Sequence, residues 1–101
     1  MKLLEELLSN AANKMAAFYK HNPGDKSPTS LLKGLQFNCD NLSYTITGNQ
    51  VQLFDSNKPA GERYVLDATN LIAIDTRRKD SYGAVASKIY VGEDIYHFQY
   101  A

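Results

Sequence analysis

LQFNCDNLSYTITGNQVQLF, residues 35–54, is the stretch that decides the fold. Apolar residues fall on every second position: Leu35, Phe37 and Cys39, then Leu42, Tyr44 and Ile46, then Val51 and Leu53. A period of two is the spacing of a strand with one buried face. Asp40-Asn41 and Gly48-Asn49 interrupt the alternation where turns are needed. Gly48 and Asn49 both tolerate positive φ, the mark of a two-residue hairpin. The intervening positions are Ser, Thr and Gln, so one side of the hairpin at 42–54 meets water.

The same rhythm continues toward the C-terminus. DSNKPAG (55–61) is a longer connection, followed by strands at 63–66 and 71–76 joined through Asp67-Ala68-Thr69-Asn70. Leu71-Ile72-Ala73-Ile74 is almost wholly apolar and predicts a central strand covered on both faces. RRKDSYG (77–83) reads as a charged loop. Residues 85–91 and 95–100 form a last hairpin across Gly92-Glu93-Asp94, with Tyr96, Phe98 and Tyr100 on one face and Tyr90 joining them from across the turn.

Toward the N-terminus the period changes. Leu3, Leu4, Leu7, Leu8, Ala11, Ala12, Met15, Ala16, Phe18 and Tyr19 recur at three- and four-residue steps, which predicts one amphipathic helix over about 2–20. Asn22-Pro23-Gly24 stops it, and 21–34 is a loop in which Ser27-Pro28 opens a short helical turn through Leu31 and Leu32. The expected fold is therefore a single α+β domain over 1–101. Its N-terminal helix covers the apolar face of a curved antiparallel sheet, a meander or roll of about six strands over 35–100. The connections are too short for parallel crossovers.

The stretch LDATNLIAIDTRRKDSYG with IYVGEDIYHF resembles the strand rhythm of pleckstrin-homology-like small barrels, over about a third of the chain. That likeness implies a closed barrel plugged by a C-terminal helix, whereas this chain ends on a strand. It assigns no residue a role.

Composition narrows the function classes. Lysine plus arginine equals aspartate plus glutamate, 11 each among 101 residues, so the formal charge is zero. A general nucleic-acid binder normally carries a basic excess, and neutrality favours burial of surface in a complex. Cys39 is the only cysteine, which rules out an internal disulfide and suits a reducing compartment. Glu5 and Glu6 break the apolar core that a signal peptide requires, and no run approaches the roughly 20 apolar residues of a membrane span. The expected location is the cytoplasm.

No motif carries chemistry. There is no GxSxG, CxxC, HxxxH or phosphate-binding glycine loop, so no catalytic residue, metal site or cofactor is assigned. Cys39 takes an inward strand position, as a packed thiol does. His21 and His97 show no ligand spacing. Arg77-Arg78-Lys79 with Tyr82 is the one concentration of charge; it offers bidentate and stacking contacts to an anionic small ligand, a phosphate or nucleotide, or an acidic protein surface. Lys20, His21, Lys26 and Lys33 form a second basic segment. Tyr96 and Tyr100 are interface candidates, because tyrosine joins area to a polar tip. A final strand with an open edge would serve self-association as a homodimer or a partner strand. These features favour a small non-catalytic protein-binding module, of inhibitor, immunity or adaptor type, over a small-ligand domain, and place an enzyme last.

Overall fold

The computed structural model describes residues 1–21, 36–58, 63–77 and 84–101. Helix α1 spans Lys2–Ala11, and eight strands follow: β1 (Ala16–Lys20), β2 (Gln36–Cys39), β3 (Leu42–Thr47), β4 (Gln50–Asp55), β5 (Tyr64–Asp67), β6 (Leu71–Arg77), β7 (Val85–Val91) and β8 (Asp94–Tyr100). They form a five-stranded sheet in the order β2-β1-β8-β7-β6 and a three-stranded sheet in the order β3-β4-β5. Every strand pair is antiparallel. The α+β class with an N-terminal helix on antiparallel sheet is as expected. Among the described residues the two sheets do not close into a barrel.

The helix is half as long as its periodicity suggests. Leu4, Leu7, Leu8 and Ala11 are buried, and the helix then stops. Asn13 takes φ 65°, a left-handed conformation that Asn reaches more easily than most residues. Its N–H donates to the Leu42 carbonyl (2.9 Å), while the Leu42 N–H donates to the Lys14 carbonyl (2.9 Å). Residues 16–20, read from spacing as the last turns of the helix, are instead strand β1. Ala16, Phe18 and Tyr19 satisfy either period, and the outcome is settled by pairing. As a strand this segment fills the gap between β2 and β8, with Phe18 opposite both Phe37 and Phe98. A lone continuation of the helix would bury far less backbone and aromatic surface.

The core lies between the sheets. The five-stranded sheet contributes Ala16, Phe18, Cys39, Ile89, Val91, Phe98 and Tyr100; the three-stranded sheet contributes Leu42, Val51, Leu53 and Leu66; and α1 adds its leucines. Tyr64 ties the layers together. Its ring meets Phe18 edge-on at 5.0 Å and lies 6.2 Å from Phe37. Burial, with Tyr96 nearby, pushes its hydroxyl up to about 12. Two tight turns set the registers. Thr47 pairs with Gln50 across Gly48 (φ 59°), and Val91 pairs with Asp94 across Gly92 (φ 58°). In each, glycine occupies the first turn position, where a side chain would be strained.

Candidate functional site

The strand expected to be central is at the rim. Among the described residues no strand lies beyond β6 in its sheet. Ile72 is 70 % exposed, and Leu71 and Ile74 are only partly covered. A continuous apolar run suits a strand covered on both faces and equally a strand whose outer side awaits a partner, so composition cannot separate the two. A bulge between Leu71 and Ala73 leaves Ile72 without an opposite residue on β7, whereas Ala73–Arg77 pair regularly with Tyr90–Ala86.

The other edges are blunter. β2 and β5 have four residues each, and β3 presents Ser43, Thr45 and Thr47 away from the core. Short strands and polar side chains are the usual protections of an edge. β6 has seven residues and four consecutive apolar side chains. Its two ends differ in charge. At its start, an open hollow of about 490 Å³ is lined by Asp67, Thr69, Asn70, Glu93 and Asp94 with Tyr96. Thr69 donates to the Asp67 carboxylate from both hydroxyl and N–H and holds it below its usual range. At its finish stands Arg77, opposite Ala86. Arg78, Lys79 and Tyr82, the rest of the proposed basic grip, lie outside the described residues, as do Lys26, Lys33 and the helical turn expected after Ser27.

The expected open edge at the C-terminus is not there. β8 is an interior strand, hydrogen-bonded to β1 on one side and β7 on the other. The reason is the mistaken helix: once 16–20 is a strand, it takes the place beside β8. Tyr100 is 9 % exposed and sits in the core cluster, with the Lys14 ammonium 5.4 Å from its ring centre. Tyr96 is half-buried and stacks on Phe18 at 5.4 Å. Burial raises its hydroxyl, against the pull of Lys20, which pairs with Asp94 at 3.4 Å. Tyr90 does not join this face. It is opposite Ile95, on the side of the sheet away from the core.

Cys39 is buried in the wall of a hollow of about 410 Å³, together with Ala16, Asp55, Lys58 and Tyr100. Burial raises the thiol and the Asp55 charge adds to the rise; the Ala16 N–H opposes it, and smaller effects of Asp40 (raising) and Lys58 (lowering) follow. A protonated thiol between carboxylates is a poor nucleophile. The Asp55 carboxylate is engaged structurally. It accepts from the N–H of Asp40 (3.0 Å) and of Asn57 (2.9 Å), and these bonds hold it below its usual range.

The structure assembles one cluster that sequence spacing does not show. A row runs across four strands on the side away from the core: Tyr19, His97, Lys88 and Asp75 stand opposite one another in turn. His21 follows on from β1, two positions beyond Tyr19, and its N–H donates to the Ile95 carbonyl (2.8 Å). The His97 ring stacks on Tyr19 at 5.0 Å and 12°, and lies 5.5 Å from the His21 ring. The signal was the alternation itself: Tyr19 and His21 share a face only if 16–20 is a strand.

Among the described residues no three His, Cys, Asp or Glu side chains gather into a metal-binding group, and no helix is long and apolar enough to cross a membrane. Compared with known protein families, with curated proteins and with solved structures, the chain finds no match.

Proposed function

We propose that this protein is a small non-catalytic binding module that takes up an extended segment of a partner protein along the outer edge of β6, beyond which no strand lies among the described residues. The observation that carries this reading is the combination at one strand of length, an outermost position in the described sheet and a 70 %-exposed isoleucine. An added strand gains main-chain hydrogen bonds for affinity, and side-chain contacts on alternate positions for specificity. Ile72, freed from the ladder by the bulge, supplies the apolar anchor. The acidic hollow at one end and Arg77-Arg78-Lys79 in sequence at the other favour a segment with cations toward Asp67 and anions toward Arg77. Such polarity fixes the direction of the added strand.

The test is native mass spectrometry of the protein recovered gently from its own cell, repeated with Ile72→Lys and with Val65→Lys. Val65 is the control, since it is 52 % exposed on β5, the edge of the other sheet. A partner at fixed stoichiometry that Ile72→Lys releases and Val65→Lys retains is the expected outcome. A partner indifferent to Ile72→Lys, or a second copy of this chain as the sole occupant of the edge, would overturn the reading.

A further inference from the structure

We propose that His21 and His97 together form a two-imidazole site for a divalent transition metal ion of the zinc, nickel or copper kind. It lies on the face of the five-stranded sheet away from the core and is independent of the β6 edge. The first observation is an unmet hydrogen-bonding need. His21 Nδ1 and His97 Nε2 are both buried and have no hydrogen-bond partner. Buried polar atoms in folded proteins are nearly always paired, so two orphans on adjacent rings call for an explanation.

The second observation is spacing. Two imidazoles that share one tetrahedral ion, with metal–nitrogen bonds of about 2.0–2.1 Å, have ring centres about 5 Å apart. The observed separation is 5.5 Å, with the planes inclined at 54°. The two histidines come from different chain regions but from neighbouring strands. His97 is opposite Tyr19 on β1, and His21 continues that strand on the same face.

The third observation is that the site is held in place. Tyr19 stacks flat against His97 at 5.0 Å and is itself only 8 % exposed, which fixes the His97 ring. Lys88 stands opposite His97 and Asp75 opposite Lys88, so this cation has a carboxylate as its own cross-strand neighbour. Imidazole nitrogens suit zinc, nickel and copper, whereas magnesium and calcium prefer oxygen. The chain supplies two ligands here, and no third His, Cys, Asp or Glu joins them among the described residues. Ligands beyond these two would be water or a donor group brought by another molecule.

The experiment uses the full chain with zinc chloride and nickel chloride as probes. Binding is followed by calorimetry and by the nitrogen resonances of the two imidazoles. The expected result is one ion per chain and a shift of both imidazole signals in the unmodified protein. His21→Gln and His97→Gln should each weaken binding by about tenfold or more, since losing even an outer partner of a metal ligand costs about 10- to 100-fold. The double variant should lose it. Absence of binding up to about 1 mM metal would overturn the proposal. So would an ion that leaves both imidazole signals unmoved or persists in the double variant, because it would then be held elsewhere, at the terminal amine or Cys39.

Discussion

Asn13 offers a test in which two structures of the N-terminus give opposite signs. The residue is exposed, so a substitution alters backbone preference with little change in packing. In the structure it has φ 65° immediately after α1, and its N–H donates to the Leu42 carbonyl. A left-handed conformation costs an ordinary L-residue about 1–2 kcal/mol; Asn bears less of this and Gly none. Asn13→Gly should therefore leave stability unchanged or raise it by up to about 1 kcal/mol, and Asn13→Ala should lower it by about 1 kcal/mol. Were residues 2–20 one continuous helix, the order would reverse, because Ala exceeds Gly by about 1 kcal/mol in a helix interior. Urea denaturation reads the difference directly. With a slope of about 1–2 kcal/mol/M, the two variants separate by about 0.5–2 M in midpoint. A glycine variant less stable than the alanine variant would refute the placement of the helix end and, with it, the assignment of β1.

Further outcomes follow from the packing and the titrating groups. Phe98 is fully buried between Phe18 and Tyr100, so Phe98→Ala should cost about 3–5 kcal/mol in thermal or urea unfolding; Ile72→Ala, at an exposed position, should change stability by less than about 0.5 kcal/mol. The Asp55 carboxylate is depressed below its ordinary 3.8 by the N–H groups of Asp40 and Asn57. Its contribution is thus present above that pH and lost as pH falls through the lower folded value. Asp55→Asn should be less stable at neutral pH and lose less between neutrality and strong acid, as followed by acid titration of the circular dichroism. Tyr64 titrates at about 12 when folded against 10.0 when free, so its stabilising effect is complete below pH 10 and disappears as pH rises toward 12. Tyr64→Phe should narrow the alkaline loss over that window, and an unchanged alkaline profile would contradict the desolvation of its hydroxyl.

The parts of the fold that were legible in the sequence are those governed by local rules. The hairpin at 42–54 shows its alternation and its glycine turn, and β3 and β4 occupy 42–47 and 50–55 in register across Gly48. The last hairpin is legible for the same reason. Leu4, Leu7, Leu8 and Ala11 mark one face of a real helix. The failures come where one pattern satisfies two structures. Ala16, Phe18 and Tyr19 lie on a helical stripe and also on alternating strand positions, and only the pairing of β1 with both β2 and β8 decides between them. That single ambiguity has two consequences: a helix over 16–20 leaves β8 at an edge, and it keeps His21 apart from His97. The apolar run at 71–74 was ambiguous in another way, since a buried strand and an unpartnered one have the same composition. Of the candidate basic grip, the structure places Arg77 at the end of β6, and the sequence alone continues it through Arg78 and Lys79.

The outer edge of β6, beyond which no strand lies among the described residues, is the centre of the proposed function, and amide hydrogen exchange of the protein alone and with a copurified partner tests it most directly. On complex formation, exchange should slow at alternate residues across 72–76, the signature of a new strand hydrogen-bonded along one side of β6. Unchanged exchange across β6, with protection gained instead at β2, at β5 or on the face of the sheet that carries His97, would contradict it.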